Sequence, residues 1–418
     1  MKEGWKYMKL GEVCEKVSNI KWSDVQEDTF YKYIDLSSVD RNDFSITAPQ
    51  TIDKNNAPSR AKQIVKYGDV VFATTRPTLR RVCKINDDYN GQICSTGFCV
   101  LRPKKDVITD WIFYNLVYDG FYKYIEPFQT GASYPAVTDG SVKSFSIPVP
   151  PLSEQQRIVS FLDAGFAKIE AIKANAANQL QAAKDMFQAA LTELLTPKEG
   201  WVEKKLGEVA DIKGGKRVPK GYKFETTPTA HIYIRVADFN NEGSISLDDL
   251  QYINNDVYEQ IKRYTITSDD VYISIAGTIG KSGIIPKELN GANLTENACK
   301  LVLKGQVCKE FIYFTTLSPD FKAQINKMTK VSSQPKLALT RLEQVDISFP
   351  KNVSEQQQIA AQLDNLSAKI KALQSNYDQT ITLCNDLKQA LLKQVFEEDC
   401  AKSPNRFAPK VKIKTRQK

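Results

Sequence analysis

The chain has one histidine, His231, among 418 residues, and no two of its eight cysteines form a C-x-x-C pair. A single imidazole cannot build the usual histidine-based zinc sites, and it would have to serve every proton transfer of a nucleophilic triad. Without paired cysteines, neither a zinc ribbon nor a dithiol redox site is signalled. Cys94 and Cys99, the most closely spaced thiols, could ligate a metal together with Cys83, but burial in strands is the expectation for all three. No apolar run reaches the roughly 18 to 20 residues of a membrane span. Met1-Lys2-Glu3-Gly4-Trp5 does not lead into the apolar stretch of a signal peptide. A cytoplasmic protein without a membrane partner is expected.

A real excess of charge is also missing from most of the chain, although the formal net charge is +8. Residues 1–150 carry 20 basic and 18 acidic side chains, 151–197 carry 4 and 5, 198–350 carry 21 and 19, and 351–400 carry 5 and 7. The excess sits in 401–418, with seven basic residues and no acidic one. That tail, with Lys410, Lys412, Lys414, Arg416 and Lys418 on alternate positions, is expected to be a solvated, disordered extension.

What the sequence does contain is itself, twice. Lys2-Glu3-Gly4-Trp5 with Leu10-Gly11-Glu12-Val13 returns 196 residues later as Lys198-Glu199-Gly200-Trp201 with Leu206-Gly207-Glu208-Val209. Ser153-Glu154-Gln155-Gln156 returns as Ser354-Glu355-Gln356-Gln357 after 201 residues. In each copy, runs rich in β-branched and aromatic residues (69–74, 97–101, 231–236, 270–275) are broken by Gly, Pro, Asn and Asp turns, the pattern of a strand-rich domain. Each strand-rich part closes on an apolar, proline-containing stretch, 147–151 or 347–350, after which a new element must begin.

That element is a long helix. Ser153 with Gln156, and Ser354 with Gln357, fit a capping box. In the second copy Ile359, Leu363, Leu366, Ile370, Leu373, Tyr377, Thr380, Cys384, Leu387 and Leu391 alternate steps of four and three, a heptad seam. The first copy repeats it at Ile158, Leu162, Ile169, Ile172, Ala176, Ala183, Met186 and Ala190, with Gly165 and Gln179 as weak points. About 42 residues of helix span roughly 60 Å, too long for the core of a small domain. Each seam therefore needs a partner, and the comparable seam is the other copy. The expected fold class is α+β: two strand-rich domains in tandem repeat and two long helices pairing as an antiparallel coiled coil, which would carry the domains to opposite ends of a rod. The boundaries read 1–150 and 198–350 for the domains, 151–197 and 351–400 for the helices, and 401–418 for the tail.

Chemistry is largely absent. Ala276-Gly277-Thr278-Ile279-Gly280-Lys281-Ser282 ends like a phosphate loop, but Ile275 stands where G-x-x-x-x-G-K-[ST] requires glycine. Gly214-Gly215-Lys216 lacks a G-x-G-x-x-G frame, so no dinucleotide or S-adenosylmethionine fold is supported. The one Pro-Asp, Pro319-Asp320, is followed by an acidic-x-Lys triplet only at Asp386-Leu387-Lys388, inside the second helix, so a metal-dependent nuclease is not signalled either. No catalytic residue and no metal ligand is assigned. Binding is a better match for the polar and basic loops punctuated by glycine and proline. In the first half these hold Thr74, Arg76, Arg80, Arg81, Ser133 and Tyr134; in the second, Lys216, Arg217, Thr278, Lys281, Ser333, Gln334 and Lys336. Arginine can grip guanine bidentately, glutamine can read adenine, and Lys, Ser and Thr suit phosphate or either role. A coiled-coil adaptor for proteins, or an enzyme with an unfamiliar site, would be the competing classes.

Together, the tandem strand-rich domains, the Pro150-Pro151-Leu152-Ser153-Glu154-Gln155-Gln156 and Ser354-Glu355-Gln356-Gln357 helix starts, the repeated Leu-Gly-Glu-Val openings and Gly277-Thr278-Ile279-Gly280-Lys281 resemble the specificity subunit of Type I restriction-modification enzymes. The resemblance covers the chain to about residue 400. It implies that each domain reads one half of a split, asymmetric double-stranded DNA site and that the helices set the spacing. It also implies two methyltransferase subunits docked on the helical region, and restriction and translocase subunits beyond them. S-adenosylmethionine, ATP and Mg would then belong to the partners, with no cofactor on this chain. The first half departs from the pattern, having Thr74 to Arg81 where the second has its Gly-Thr-Ile-Gly-Lys loop.

Overall fold

In a computed structural model, which describes residues 4–41, 43–305, 307–329 and 335–398, the chain divides into two compact units. The first is Met1–Asn175 with Gln379–Lys418, the second Ala176–Asp378. No described helix is long and apolar enough to cross a membrane.

The two units share one plan. In the first, Lys6–Lys9 pairs antiparallel with Ser146–Val149, tying the start of the strand-rich part to its end. One four-stranded sheet follows the order Cys14–Glu15, Phe98–Pro103, Val70–Ala73, Val82–Lys84; a second follows Gln50–Ile52, Tyr31–Ile34, Ile93–Ser95, Ala61–Ile64. In the second unit Trp201–Lys205 pairs with Asp346–Pro350. Its sheets run Ala210–Gly214, Ala298–Leu303, Val271–Ser274, Ser282–Ile284 and Gln251–Ile253, His231–Ile234, Ala292–Leu294, Thr265–Ile266. In both, the second sheet holds one parallel pair, Tyr31–Ile34 with Ile93–Ser95 and His231–Ile234 with Ala292–Leu294.

Successive side chains of a strand face opposite ways. Val70 and Phe72 therefore enter the core beneath the helices Thr109–Val117 and Asp119–Ile125, while Val71 and Ala73 enter the core shared with the second sheet. Val271 and Ile273 divide from Tyr272 in the same way. A strand covered on both faces must be apolar throughout, which is why these runs stand out in the sequence.

The long helices are Leu152–Leu195 and Val353–Lys393. Each contributes to both units. In the first unit Lys173 bonds Asn385 at 3.0 Å, Glu170 pairs with Lys388, and Gly165 lies against Leu391, so one helix rises as the other falls. In the second unit Lys184 reaches Gln374, and Leu191 shares a core with Ile359 and Leu363. The antiparallel pairing is as expected. Gly165 is no weak point: a Cβ there would stand 3.1 Å from a Leu391 methyl, so its smallness is what admits the leucine.

Much of the expected seam faces inward: Ile158, Leu162, Ile169, Ile359 and Leu363 are buried, and Leu366, Ile370, Leu373, Tyr377 and Leu391 are half-buried. Ile172 and Leu387 are corrections, exposed by 50% and 47%, and Met186 is exposed too. Lys173 and Lys388 take the inward places, their side chains exposed by 17% and 12%. A helix of 3.6 residues per turn drifts against a 3.5 repeat, so a step of four replaces a step of three after Ile169 and again after Cys384. Leu180 and Phe187 join the seam for the same reason.

The repeated Ser-Glu-Gln-Gln motif also acts differently from a capping box. The helices begin at Leu152 and Val353, one residue before each serine, and the Asn352 side chain accepts from the Ser354 N–H at 2.9 Å. The first glutamine of each motif is a clamp. Gln155 is fully buried, accepts from the Ile108 N–H at 3.1 Å, and donates to the Asp106 and Pro150 carbonyls at 2.9 Å each. Gln356, likewise buried, accepts from the Cys308 N–H and donates to the Pro350 carbonyl, both at 2.8 Å. The motif recurs because it fastens each helix to its own strand-rich part.

Candidate nucleic-acid interface

In the second unit the strand ends converge. Gly214 pairs with Cys299 and Ser274 with Ala298, so 210–214 and 271–274 finish, and 298–303 starts, at one end of the sheet. The turn before Ala298 gathers the loops. Gly215 N–H donates to the Ala298 carbonyl at 3.0 Å, Ile275 and Ala276 N–H both donate to Asn297, and Lys216 N–H donates to Leu294 at 2.8 Å. A further segment joins through the Ala276–Lys336 bridge and the Leu337 N–H to Ile275 carbonyl bond of 2.9 Å.

The first unit repeats this wiring. Thr75 bridges Ala136, and Val137 N–H donates to the Thr74 carbonyl at 2.9 Å, as Leu337 does to Ile275. Ala73 N–H donates to the Arg81 carbonyl, as Ser274 does to Lys281. The loops at 74–81 and 275–281, and the segments that follow Ala136 and Lys336, thus share these anchoring bonds, although the first loop is one residue longer. What differs is the side chains they present.

Arg76, Thr78, Ser133 and Tyr134 are exposed on the first unit, and Lys216, Arg217, Thr278 and Lys336 on the second. Arg76 lies over the Tyr134 ring at 4.5 Å. Lys216 approaches the Tyr264 ring at 5.9 Å. Arg217 is ion-paired with Glu296 at 2.6 Å; burial pushes that carboxyl up, but the guanidinium, a backbone N–H and the Thr295 hydroxyl together hold it below the usual range.

Other expected contacts already have partners within the chain. Thr74 is buried and its hydroxyl donates to the Gly97 carbonyl at 2.9 Å, because it occupies the place of Ile275, a core position. Arg80 is ion-paired with Asp119 at 2.6 Å and stacked on Tyr122 at 4.3 Å. Arg81 is half-buried with its Nε enclosed, and the Lys281 ammonium donates to the Phe239 carbonyl. Ser333 and Gln334, like the tail 401–418, lie outside the described residues.

Sequence reading placed Lys213 in a binding loop but missed Arg263 and Tyr264. With Gly214, Thr265, Leu294 and Lys300 they line a cavity of about 280 Å³ beside Lys216. Arg263 sits 5.1 Å from the Tyr264 ring. Adjacent Arg and Tyr after an amphipathic turn was the available signal, but it is a weak one. Lys300 is tied to Asp270 at 3.0 Å and Lys213 to Asp211 at 3.8 Å, so two of the three cations lining this cavity already have carboxylate partners.

The lone imidazole is engaged by an amide and an aromatic ring. His231 Nε2 contacts Asn255 Oδ1 at 2.8 Å and its ring stacks on Tyr258 at 3.8 Å. Among the described residues no group of three His, Cys, Asp or Glu is placed to hold a metal. Cys83, Cys94 and Cys99 are buried, free thiols; burial pushes Cys83 up to about 12 and raises the other two well above a usual thiol. They are poor ligands and nucleophiles near neutrality, since both roles need the thiolate.

Two equivalent loop scaffolds carrying different polar, basic and aromatic side chains, on a duplicated α+β fold with long antiparallel helices, define a DNA-specificity protein. The sequence pattern of the Type I restriction modification DNA specificity domain matches residues 2–182 and again 198–383, and the chain belongs to that family. It is similar to the specificity subunit of the Type I restriction enzyme EcoKI from Escherichia coli strain K12, 23% identical over 421 residues, covering 94% of this chain and 89% of that protein. A solved chain from work on complex assembly and conformational transition of the type I R-M system is 27% identical, with a TM-score of 0.76 over 95% of this chain and 98% of that one. The HsdS subunit from Thermoanaerobacter tengcongensis is also 27% identical, with a TM-score of 0.54 over 96% and 98%.

Proposed function

We propose that this chain addresses DNA for a Type I restriction-modification complex and leaves the chemistry to partner subunits. Residues 1–150 and 198–350 would each read one half of a bipartite, asymmetric site, and the helices at 151–197 and 351–400 would set the spacing between the halves. One observation carries the reading: the recognition loops share a hydrogen-bond scaffold in both units while their exposed side chains differ. That is what two readers of two unlike sequences require, because register comes from the scaffold and specificity from base-edge contacts.

The partners follow from the same reading. Two methyltransferase subunits, using S-adenosylmethionine to methylate adenines, dock along the helical region. Exposed Ile172, Leu383 and Leu387 support this, being apolar surface on the paired helices of the first unit. Restriction and translocase subunits with ATP and Mg complete the complex in the cytoplasm. Near-neutral domains predict weak DNA binding by this chain alone, the partners supplying part of the phosphate grip.

Single-molecule methylation mapping, with and without this chain and with the methyltransferase partner retained, tests the proposal. Loss of one bipartite adenine-methylated motif on deletion is expected. An unchanged methylome, with both chains shown to be expressed, would refute it.

A further inference from the structure

The two recognition loops share more than hydrogen bonds. Each contains two residues in the left-handed backbone region, the first directly after the bridging residue and the second directly before the residue that closes the loop. In the second unit these are Gly277 at φ +73° and Gly280 at φ +84°. Glycine is the residue that takes this conformation without cost. In the first unit the same places hold Arg76 at φ +50° and Arg80 at φ +54°. Only four described non-glycine residues have positive φ, and this loop contains two of them.

A Cβ in the left-handed region is unfavourable, and such residues persist where the surroundings over-determine them or where the side chain is needed. Arg80 is of the first kind, held by Asp119 and the Tyr122 ring. Arg76 is different. Its guanidinium rests on Tyr134, a ring itself 66% exposed, and no described carboxylate pairs with it. Its backbone N–H is fixed to the Pro135 carbonyl at 2.6 Å, which holds the base of the side chain against the segment that carries the tyrosine. The result is a cation laid flat on a ring in the solvent-facing loop, with its planar N–H fork unused.

We propose that Arg76 is the guanine-reading side chain of the first domain, held in shape by Tyr134 and kept in a strained position for that contact. This rests on the loop cluster being the DNA interface. A guanidinium fork matches the O6 and N7 acceptors of guanine in the major groove with a pre-set planar geometry, whereas a lysine ammonium on its flexible stem holds the same acceptors less rigidly.

The test uses the full chain expressed with its methyltransferase partner, comparing wild type, Arg76→Gly and Arg76→Lys by methylation mapping and by competition binding of the complex to oligonucleotides. Arg76→Gly is expected to relax discrimination at one G·C pair of one half-site by about 5- to 150-fold and Arg76→Lys by less, both leaving the other half-site unchanged. Arg76→Gly, which installs the residue of the second loop, is expected to melt no lower than wild type. Full discrimination by Arg76→Gly, which removes every side-chain donor, would overturn the inference. So would a lowered melting temperature of Arg76→Gly with an unaltered motif, or a wild-type motif with no G·C pair in either half. A wild-type complex that yields no bipartite motif at all removes the DNA-addressing reading itself. A normal wild-type motif that both variants leave intact removes only the role of Arg76.

Discussion

Replacing Gln155 by leucine isolates the clamp between the first long helix and its strand-rich part, because the substitution keeps the buried volume and deletes the polar ends. Three hydrogen bonds go: from the Ile108 N–H, and to the Asp106 and Pro150 carbonyls. A typical intramolecular hydrogen bond contributes about 1 kcal/mol net, and more when the abandoned partner stays buried. The three together predict a loss of about 3 kcal/mol. Water can reach Ile108 and Asp106 in part, which keeps the value at the lower end. Gln356→Leu deletes two bonds, to Cys308 and Pro350, and so predicts about 2 kcal/mol. Urea unfolding of both variants, followed by far-UV circular dichroism, gives the two numbers and their order. A Gln155→Leu chain within about 0.5 kcal/mol of wild type, the range of ordinary surface substitutions, would refute the clamp.

Three further outcomes follow from the helices and the thiols. Leu162→Ala is expected to cost about 2–5 kcal/mol while Ile172→Ser stays within about 0.5 kcal/mol in the same urea assay; equal losses would restore Ile172 to the seam. Burial pushes Cys83 and Cys299 up to about 12 from an ordinary thiol value of 9.0, so the folded chain holds protons that the unfolded chain releases. Their contribution is intact below pH 9 and is lost as pH rises toward 12, at about 1.4 kcal/mol per pH unit for each thiol; Cys83→Ala should flatten the alkaline fall in urea midpoint, and an unchanged slope would count against it. The Glu170 carboxyl is pushed up by burial, but Lys388 and Lys173 outweigh this and lower it below the usual value. Its stabilising contribution is therefore present above that value and lost as pH falls through the lowered one, so Glu170→Gln should weaken the chain at pH 7 and match wild type in acid. A deficit that persists at low pH would point to packing instead.

The sequence by itself determined the duplication, the strand-rich character of each half and the two long helices that pair. These rest on period and repetition: uninterrupted apolar runs such as 70–73 exist because both strand faces are covered, and steps of three and four are visible without coordinates. The seam blurred where the helix drifted from its heptad, since a pattern of apolar residues could not tell that Lys173 and Lys388 turn inward while Ile172 and Leu387 face solvent. The site was legible as loops but not side chain by side chain. Thr74 and Arg76 are two residues apart in one polar string, yet one fills a core position and the other lies on an exposed ring. Only the tertiary structure decided such matters, because they depend on groups far away in the chain: Gln155 on Asp106, Arg76 on Tyr134, Lys281 on Phe239. Local pattern fixes which way a backbone can run, whereas the partner a polar side chain meets is set by the backbone that folding brings beside it.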